Sequence, residues 1–375
     1  MNKTTPPNLK PALATAAALL VVGTLTLAAT RYTSQLDPFT ATATAGQARE
    51  FKVVGTWGML EHWREREKPF WTQHLPEISN GTLTANARPM TELGLSGFEL
   101  MRQLRDGSFD FVHGVLSNVA GDSPRIEGAD LAAIVQDLPT YRRMLDAYRP
   151  VIEREFKTKF DSKLLMLYAW PSQQLWCNFG DKTRTDISLA DLRGKKIRSF
   201  NATLGDLIEG LGGSAVTITF AEVVPALQTG VVDCGITGTL PAYNAKWYQV
   251  VTHNVRLRVG YVSSFMAVNG RVWDSLSPAQ QQLLERETAA LEEKMWQATA
   301  ANDQRGMDCN AAGPCDLGEP GGMLPIEPTA ADQATLRRIL DDYVLKRWAQ
   351  RCGPECAADW TQTAGSVLGL RAAAE

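Results

Sequence analysis

The sequence lacks the short motifs that mark three large groups of enzymes. It contains no GxSxG nucleophile turn, no HExxH zinc-protease helix and no GxxxxGK[ST] phosphate loop. No local arrangement pairs a serine or cysteine nucleophile with a base. The sequence therefore favours a binding protein that needs no cofactor over an enzyme of these classes.

Histidine is scarce, and neither sign of charge dominates. Four histidines are scattered far from the cysteines in sequence, so a metal site of the zinc type is not expected. The formal net charge of -3 gives no indication of a nucleic-acid partner. No internal repeat indicates a solenoid. The 375 residues are enough for two domains with sizeable cores.

Charge is also missing from residues 11–30, which follow Lys3 and Lys10 and end before Arg31. A basic segment followed by an apolar run is typical of a secretory signal peptide, and the abundance of Ala and Thr favours that interpretation. The run is also near the length that spans a bilayer, so an uncleaved anchor is the alternative. No cysteine stands directly after the run, so a lipoprotein is not expected. We therefore expect a periplasmic protein in which residues 1–47 are a signal peptide or anchor plus a linker.

The six cysteines fit an oxidising compartment. Four of them form two close pairs in sequence, Cys309 with Cys315 and Cys352 with Cys356. Each pair can close a short loop, or the two pairs can cross-link the C-terminal region, and the spacing does not choose between these. Cys177 and Cys234 are expected to be free and buried as small apolar residues, with a bridge between them as the alternative.

Residues 186–238 carry the clearest pattern of secondary structure. Strands are expected at 195–200, 215–219 and 231–236, and the helices between them predict a parallel α/β sheet. Ligands of such sheets sit beyond the carboxyl ends of the strands, where Arg198, Phe220 and Thr237 are expected to meet. An arginine suits a carboxylate because its planar fork donates two parallel hydrogen bonds. The alternative is that Arg198 pairs with a surface acid.

Two segments of this stretch resemble the solute-binding proteins of tripartite ATP-independent periplasmic (TRAP) transporters. They are DLRGKKIR at residues 191–198 and FAEVVPALQTGVVD at residues 220–233. The resemblance implies that Arg198 clamps the carboxylate of an organic acid, that Phe220 lines the pocket and that Thr237 faces the ligand. It also implies an extracytoplasmic receptor, not an enzyme, that delivers its ligand to integral membrane permease subunits.

A basic residue is missing from residues 169–180, where many members of that family carry a second arginine that touches the carboxylate. Trp170, Gln173, Gln174 and Trp176 stand there instead. This departure puts a two-arginine clamp in doubt and suggests a more apolar pocket, suited to an aromatic or branched acid. The alternative is that Trp170 and Trp176 belong to the core.

Four further residues are candidates for ligand contact: Trp57 at the end of the first expected strand, Asn201 after the strand of Arg198, and Tyr243 and Trp247 in the segment after Gly238. Core packing is the alternative for Trp57, since large aromatic residues are usually buried.

The coarse pattern of the whole chain predicts an α/β, two-domain periplasmic-binding-protein fold with hinge strands and a long helix spanning both domains. Domain I is expected to comprise residues 48–168 and 262–290, and domain II residues 169–261 and 291–375. Crossings of the chain near 169–171 and 262 would form the hinge. Ser277, Pro278 and Gln280 begin the long helix, which is expected to end at Arg305 before Gly306.

Two other functions stay open at the level of sequence. A membrane-anchored ligand sensor of the same fold would result if residues 11–30 were not removed. A periplasmic enzyme on a similar scaffold would turn over the bound acid rather than hold it.

Overall fold

Two β-sheets organise residues 48–374, the part of the chain that the computed structural model describes. In chain order the strands are β1 (Arg49–Gly55), β2 (Leu83–Pro89), β3 (Phe111–Val115), β4 (Ser162–Ala169), β5 (Gln173–Cys177), β6 (Lys196–Ser199), β7 (Ser214–Thr217), β8 (Cys234–Gly238), β9 (His253–Val255), β10 (Ser263–Asn269) and β11 (Leu324–Ile326). One sheet has the order β2-β1-β3-β10-β4, and the other has the order β11-β9-β5-β8-β6-β7. We call the parts built on them the first lobe and the second lobe.

Both sheets are mixed. In the first lobe β1 is parallel to β2 and β3, whereas β10 is antiparallel to β3 and β4. In the second lobe β6 is parallel to β7 and β8, and β5 is antiparallel to β8 and β9. The expected parallel arrangement of the strands around Arg198 is therefore confirmed. The α/β two-lobed fold is confirmed with it.

Helices cover the sheets on both faces. They are α1 (Leu75–Ile78), α2 (Leu100–Asp106), α3 (Leu116–Val119), α4 (Pro124–Glu127), α5 (Leu138–Phe160), α6 (Ala202–Gly210), α7 (Val223–Gln228), α8 (Thr239–Asn244), α9 (Gly270–Asp274), α10 (Pro278–Asn310), α11 (Ala330–Ile339), α12 (Lys346–Cys352), α13 (Pro354–Gln362) and α14 (Ala364–Leu368). Every residue of the central strands β3, β8 and β10 is buried, as in sheets packed on both faces, whereas the edge strand β7 is largely exposed.

Two paired segments carry the chain between the lobes. One joins β4 to β5 and the other joins β9 to β10, which agrees with the expected crossings near 169–171 and 262. The backbone N–H of Trp170 donates to Val262 O over 2.9 Å, and that of Gln173 donates to Gly260 O over 2.9 Å. Two short hydrogen-bonded segments of this kind can bend together, as in a hinge.

The long helix α10 contacts both lobes. Its 33 residues span about 50 Å, and Ser277 and Gln280 form the expected capping box at its start. Near its middle Thr299 Oγ1 donates to Ala169 O of the first lobe over 2.8 Å. Near its end Asn310 Nδ2 donates to Thr239 O of the second lobe over 2.8 Å. The helix therefore ties the two lobes together along one side.

The long helix ends later than the sequence indicates. The glycine at position 306 was expected to stop it, but the helix continues through Gly306 to Asn310. A Cβ atom at Gly306 would lie 2.3 Å from the backbone nitrogen of Leu240. The glycine thus serves the close approach of α10 to α8 rather than the end of the helix.

The C-terminal helices touch both lobes as well. Trp360 Nε1 donates to Gly128 O of the first lobe over 2.8 Å, while the backbone N–H of Leu189, in the second lobe, donates to the carboxylate of Asp332 over 3.0 Å. The expected limits of domains I and II, including the assignment of residues 291–375 to domain II, stay a prediction.

Three disulfides are present among the described residues: Cys177–Cys234, Cys309–Cys315 and Cys352–Cys356. The last two close short loops, so of the two arrangements left open for them the local one is observed. The expectation that Cys177 and Cys234 are free is wrong, and the alternative bridge is present. Its cause is strand register, because antiparallel β5 and β8 place Cys177 directly opposite Cys234.

The expected signal peptide or anchor lies in residues 1–47, outside the described residues. From position 48 to 374, none of the helices combines the length and apolar character that crossing a bilayer requires. The same residues contain no cluster of three or more histidine, cysteine, aspartate or glutamate side chains that could hold a metal ion.

Candidate functional site

A cavity lies between the two lobes, where residues from both sheets and from the crossing segments meet. Its open space, including the solvent at its mouth, is about 450 Å³. The lining residues are Trp57, Ser96, Phe98, Val115, Ser117 and Asn118 from the first lobe, Gln173, Arg198, Phe200, Thr219, Phe220 and Thr237 from the second lobe, and Trp170 and Val262 from the crossing segments.

Arg198 is held in the cavity wall by the backbone of its own lobe. It lies in β6 and is only 2% exposed. Its Nε donates to Ile218 O over 2.9 Å, and its Nη1 donates to Ile236 O over 2.8 Å. A guanidinium has five N–H donors, so these bonds fix its orientation and leave three donors for a ligand.

No described acidic side chain neutralises the charge of Arg198. Within residues 48–374 it forms no ion pair, so the surface-acid alternative is not observed there. The guanidinium carbon lies 4.7 Å from the ring centre of Phe200 and 6.0 Å from that of Phe220, which offers it only cation–π contact. Burial lowers the pKa of Arg198 to about 9, and the side chain is still a cation at neutral pH. A buried cation without a counter-ion is the arrangement that an anionic ligand would complete.

Aromatic rings connect the two lobes across the cavity. The ring of Trp57, from the first lobe, makes an edge contact with Trp170 at 5.9 Å between ring centres and with Phe220 of the second lobe at 5.6 Å. Trp170 also stacks on His62 at 4.8 Å. These rings make most of the wall apolar, so a ligand would bury hydrophobic surface beside its charged end.

Polar side chains make up seven of the fourteen described residues that line the cavity. Ser117 follows β3 in the first turn of α3 and is 2% exposed, and its Oγ is buried without a hydrogen-bond partner in the described part of the chain. Thr237 lies in β8, two residues after Gly235, which pairs with Arg198. Asn118 packs against Gly97. A Cβ atom at position 97 would lie 2.3 Å from Nδ2 of Asn118, and the φ of +101° there also favours glycine.

The structure brings five of the residues expected from sequence to this cavity: Trp57, Trp170, Arg198, Phe220 and Thr237. Trp57 and Trp170 were expected either to belong to the core or to face the ligand. Each is at most 6% exposed and each also lines the cavity, so both descriptions fit. Contact of these residues with a ligand stays a prediction.

Four other expected residues do not line the cavity. Trp176 donates from Nε1 to Thr237 O over 3.0 Å, and Trp247 packs behind Phe220 at 6.0 Å between ring centres. Tyr243 stacks on Tyr248 and donates to Glu319 O. Asn201 accepts a hydrogen bond from Leu204 N and so caps α6. Trp176 and Trp247 thus each contact a residue that lines the cavity, and ligand contact by any of the four remains only a prediction.

Several lining residues are not among the nine named above as candidates for ligand contact. Phe200 could have been predicted, because side chains two residues apart on a strand share one face and Arg198 precedes it by two. Ser117 and Asn118 follow the end of β3, and the sequence predicts that this strand end faces the cleft. Ser96 and Phe98 lie in a loop between a short turn and α2, and no local pattern in the sequence points to them.

A wider groove, which we call the outer groove, continues from the cavity through Phe98, Ser117, Asn118 and Phe200. Its charged lining residues among those described are Arg102, Asp122, Glu127, Asp206, Glu209 and Arg351. Arg351 is already engaged, since its Nη1 lies 2.7 Å from Asp206 Oδ2 and its Nη2 lies 3.3 Å from Glu127 Oε2. Acidic side chains therefore outnumber basic ones at the mouth of the cavity.

Comparison with known proteins agrees with this geometry. The model of the bacterial extracellular solute-binding proteins, family 7, matches residues 61–346, which is more than half of the chain. The sialic acid-binding periplasmic protein SiaP of Vibrio cholerae is 25% identical over 217 residues, which are 56% of this chain and 65% of the Vibrio protein. This chain thus spans just under two thirds of the length of that relative. A solute-binding protein of Chromohalobacter salexigens is 23% identical over 319 residues, covering 78% of this chain and 87% of that protein.

A solved structure shows the same fold. The extracytoplasmic solute receptor DctP7 of Bordetella pertussis, described as binding pyroglutamic acid, superimposes with a TM-score of 0.75 at 18% identity. The match covers 86% of this chain and all of the Bordetella chain. At this identity the similarity concerns the fold. Together with the family match over residues 61–346, it shows that the chain belongs to family 7 of the bacterial extracellular solute-binding proteins, the solute receptors of TRAP transporters.

Proposed function

We propose that this protein is a periplasmic receptor that binds the carboxylate of an organic acid at Arg198 and delivers the acid to a TRAP-type membrane permease. The observation that supports this most directly is the buried guanidinium with no acidic partner in the described part of the chain. Isolated buried charges are costly, and a protein retains one where a ligand supplies the opposite charge.

The placement of the other lining residues supports capture by closure. Arg198 and Phe220 belong to the second lobe, whereas Trp57 and Ser117 belong to the first. A ligand that touches both sets stabilises the closed arrangement of the lobes more than the open one, and so shifts the population toward it. The paired crossing segments supply the flexible connection for this motion.

The similar proteins support the class of ligand. The Vibrio relative is named for sialic acid and the Bordetella receptor for pyroglutamic acid. Both names are those of carboxylic acids, the class that a single guanidinium with free donors recognises.

The uncharged run at residues 11–30 is near the length that spans a bilayer, which supports a second candidate, in which the same receptor stays anchored and reports ligand occupancy as a sensor. The N-terminal sequence of the mature protein distinguishes the two. Cleavage after this run supports a released periplasmic receptor, and an intact run supports the anchored sensor.

A thermal-shift screen against small carboxylic acids, followed by calorimetry on each hit, tests the proposal. Arg198→Ala should abolish binding, and Arg198→Lys should weaken it strongly because an ammonium cannot replace the planar fork. Arg337→Ala is the matched control, since Arg337 lies exposed on α11 and does not line the cavity. Binding by both Arg198 variants with the affinity of the parent would refute the assignment of the anchor.

A further inference from the structure

The charges around the cavity restrict the class of acid. Building on the proposed function, we propose that the cavity selects monocarboxylates whose body is largely apolar and carries one uncharged oxygen, and that it excludes dicarboxylates of the same size. The charged residues that line the cavity and the outer groove support the exclusion of dicarboxylates. The unpartnered hydroxyl of Ser117 supports the uncharged oxygen, and it is an independent observation.

The cavity itself has a cation for one carboxylate. Of the described residues that line it, only Arg198 carries a formal charge. Two of its donors are held by backbone carbonyls and the remaining three suffice for one carboxylate group. A second carboxylate would lie among the rings of Trp57, Trp170 and Phe220, where it would lose its hydration and gain no counter-charge.

The outer groove does not supply a second cation either. Of its two arginines, Arg351 is bound to Asp206 and Glu127. The other, Arg102, is exposed, where the attraction of a single charge is weak. Four acidic side chains line the same groove. Three of them, Glu127, Asp206 and Glu209, are paired with Arg351 or Arg347, so a second carboxylate that extended from the cavity would meet a small net negative charge and no buried free cation among the described residues.

The hydroxyl of Ser117 provides a place for an uncharged oxygen. Ser117 is 2% exposed, lines both the cavity and the outer groove, and has an Oγ without a partner in residues 48–374. A buried hydroxyl without a partner is costly, and a keto or hydroxyl oxygen of the ligand would satisfy it. Ser96 lines the same cavity, but its hydroxyl already donates to Glu99.

Calorimetry on the purified protein with two matched sets of acids tests the proposal. One set is 2-oxohexanoate, hexanoate and 2-oxopentanedioate, and the other is phenylpyruvate, phenylpropanoate and phenylsuccinate. In at least one set we expect the keto monocarboxylate to bind. In that set the dicarboxylate should bind at least about 100-fold more weakly than its matched monocarboxylate, which is 2-oxohexanoate for 2-oxopentanedioate and phenylpropanoate for phenylsuccinate. A dicarboxylate that binds within tenfold of its matched monocarboxylate would overturn the inference.

The outcomes separate this inference from the proposed function. If dicarboxylates bind tightly and Arg198→Ala abolishes that binding, the receptor function stands and the monocarboxylate selectivity is wrong. If binding of every acid is independent of Arg198, the proposed anchor is wrong. If no acid of either set binds, the monocarboxylate class defined here is refuted, and the wider carboxylate screen decides the function.

The role of Ser117 has its own readout. Ser117→Ala should lower the affinity for the keto acid by about five- to tenfold. It should leave the affinity for the matching acid without the keto group unchanged. The hydroxyl of Ser96 is already bonded to Glu99, so Ser96→Ala should change both affinities by the same factor. Equal losses for the two acids in Ser117→Ala would refute the hydrogen bond to an uncharged oxygen.

Discussion

Replacing Arg198 with methionine separates a ligand anchor from a structural arginine. Methionine keeps an unbranched side chain of similar reach and removes the charge and its donors. If Arg198 serves a ligand, the substitution should remove binding while changing the stability of the free protein little. If Arg198 serves the fold, stability and binding should fall together.

The magnitude follows from two opposing contributions to the free energy of unfolding. Burial lowers the pKa of the Arg198 guanidinium to about 9. At about 1.4 kcal/mol per pKa unit, this shift means that burial disfavours the charged side chain by roughly 5 kcal/mol. The hydrogen bonds to Ile218 O and Ile236 O, each with a charged donor, contribute about 1.5–3 kcal/mol apiece in the other direction. The two contributions nearly cancel, so Arg198→Met should unfold within about 2 kcal/mol of the parent.

Urea denaturation and calorimetry measure the two effects. The affinity for the best monocarboxylate should fall by roughly 30-fold or more, the effect of breaking a buried charge contact. Arg149→Met is the structural control, because Arg149 binds Glu292 through two bonds of 2.8 and 2.9 Å and lies outside the cavity. It should lose about 2–3 kcal/mol of stability and keep its affinity. A loss of more than about 3 kcal/mol in Arg198→Met, or unchanged affinity, would refute the reasoning.

Three further predictions concern the fold. In the chain-entropy description of cross-links, replacing both cysteines of Cys177–Cys234 by serine should lower the free energy of unfolding by about 4 kcal/mol, and the same change in Cys309–Cys315 should lower it by about 2 kcal/mol. Urea denaturation with and without reductant measures both losses, and equal losses would contradict this description. Burial raises the pKa of Asp130 to about 7, so its contribution to stability is full below about pH 4 and is lost as the pH rises through about 7. Asp130→Asn should therefore gain stability relative to the parent by roughly 2–4 kcal/mol between pH 4 and 8, and a constant difference would argue against this. Gly306→Ala should destabilise the protein by about 1–3 kcal/mol because its Cβ would meet the backbone of α8, whereas Gly205→Ala, with its nearest neighbour atom at 3.8 Å, should be neutral or stabilising. Equal unfolding midpoints for the two glycine variants would contradict the close approach.

Local signals explain why much of the site could be predicted. The strand that carries Arg198 and the helix after it are bounded by capping residues and glycines within a few positions. Parallel strands bring their carboxyl ends to one edge, which is how Arg198, Phe220 and Thr237 reach one cavity. The aromatic residues were harder to predict, because Trp170 lines the cavity while Trp176 does not and donates instead to Thr237 O.

The residues that prediction missed depend on contacts between distant segments. Ser96 and Phe98 reach the cavity through a loop of the first lobe with no periodic pattern of its own. Tyr243 was expected near the ligand but is held at Glu319 O by a hydrogen bond across 76 positions of sequence. The continuation of α10 past Gly306 likewise depends on the helix α8 that packs there, not on neighbouring residues in the chain.

The amino-acid sequence by itself determined the alternation of strands and helices around Arg198, the start of the long helix and the family, because these rest on short-range patterns. Only the tertiary structure decided that Cys177 bonds to Cys234, that Trp247 packs on Phe220, and that the guanidinium faces a cavity whose described lining residues include no acid. The physical reason is that strand register and lobe packing set these contacts, and both depend on residues far apart in the chain.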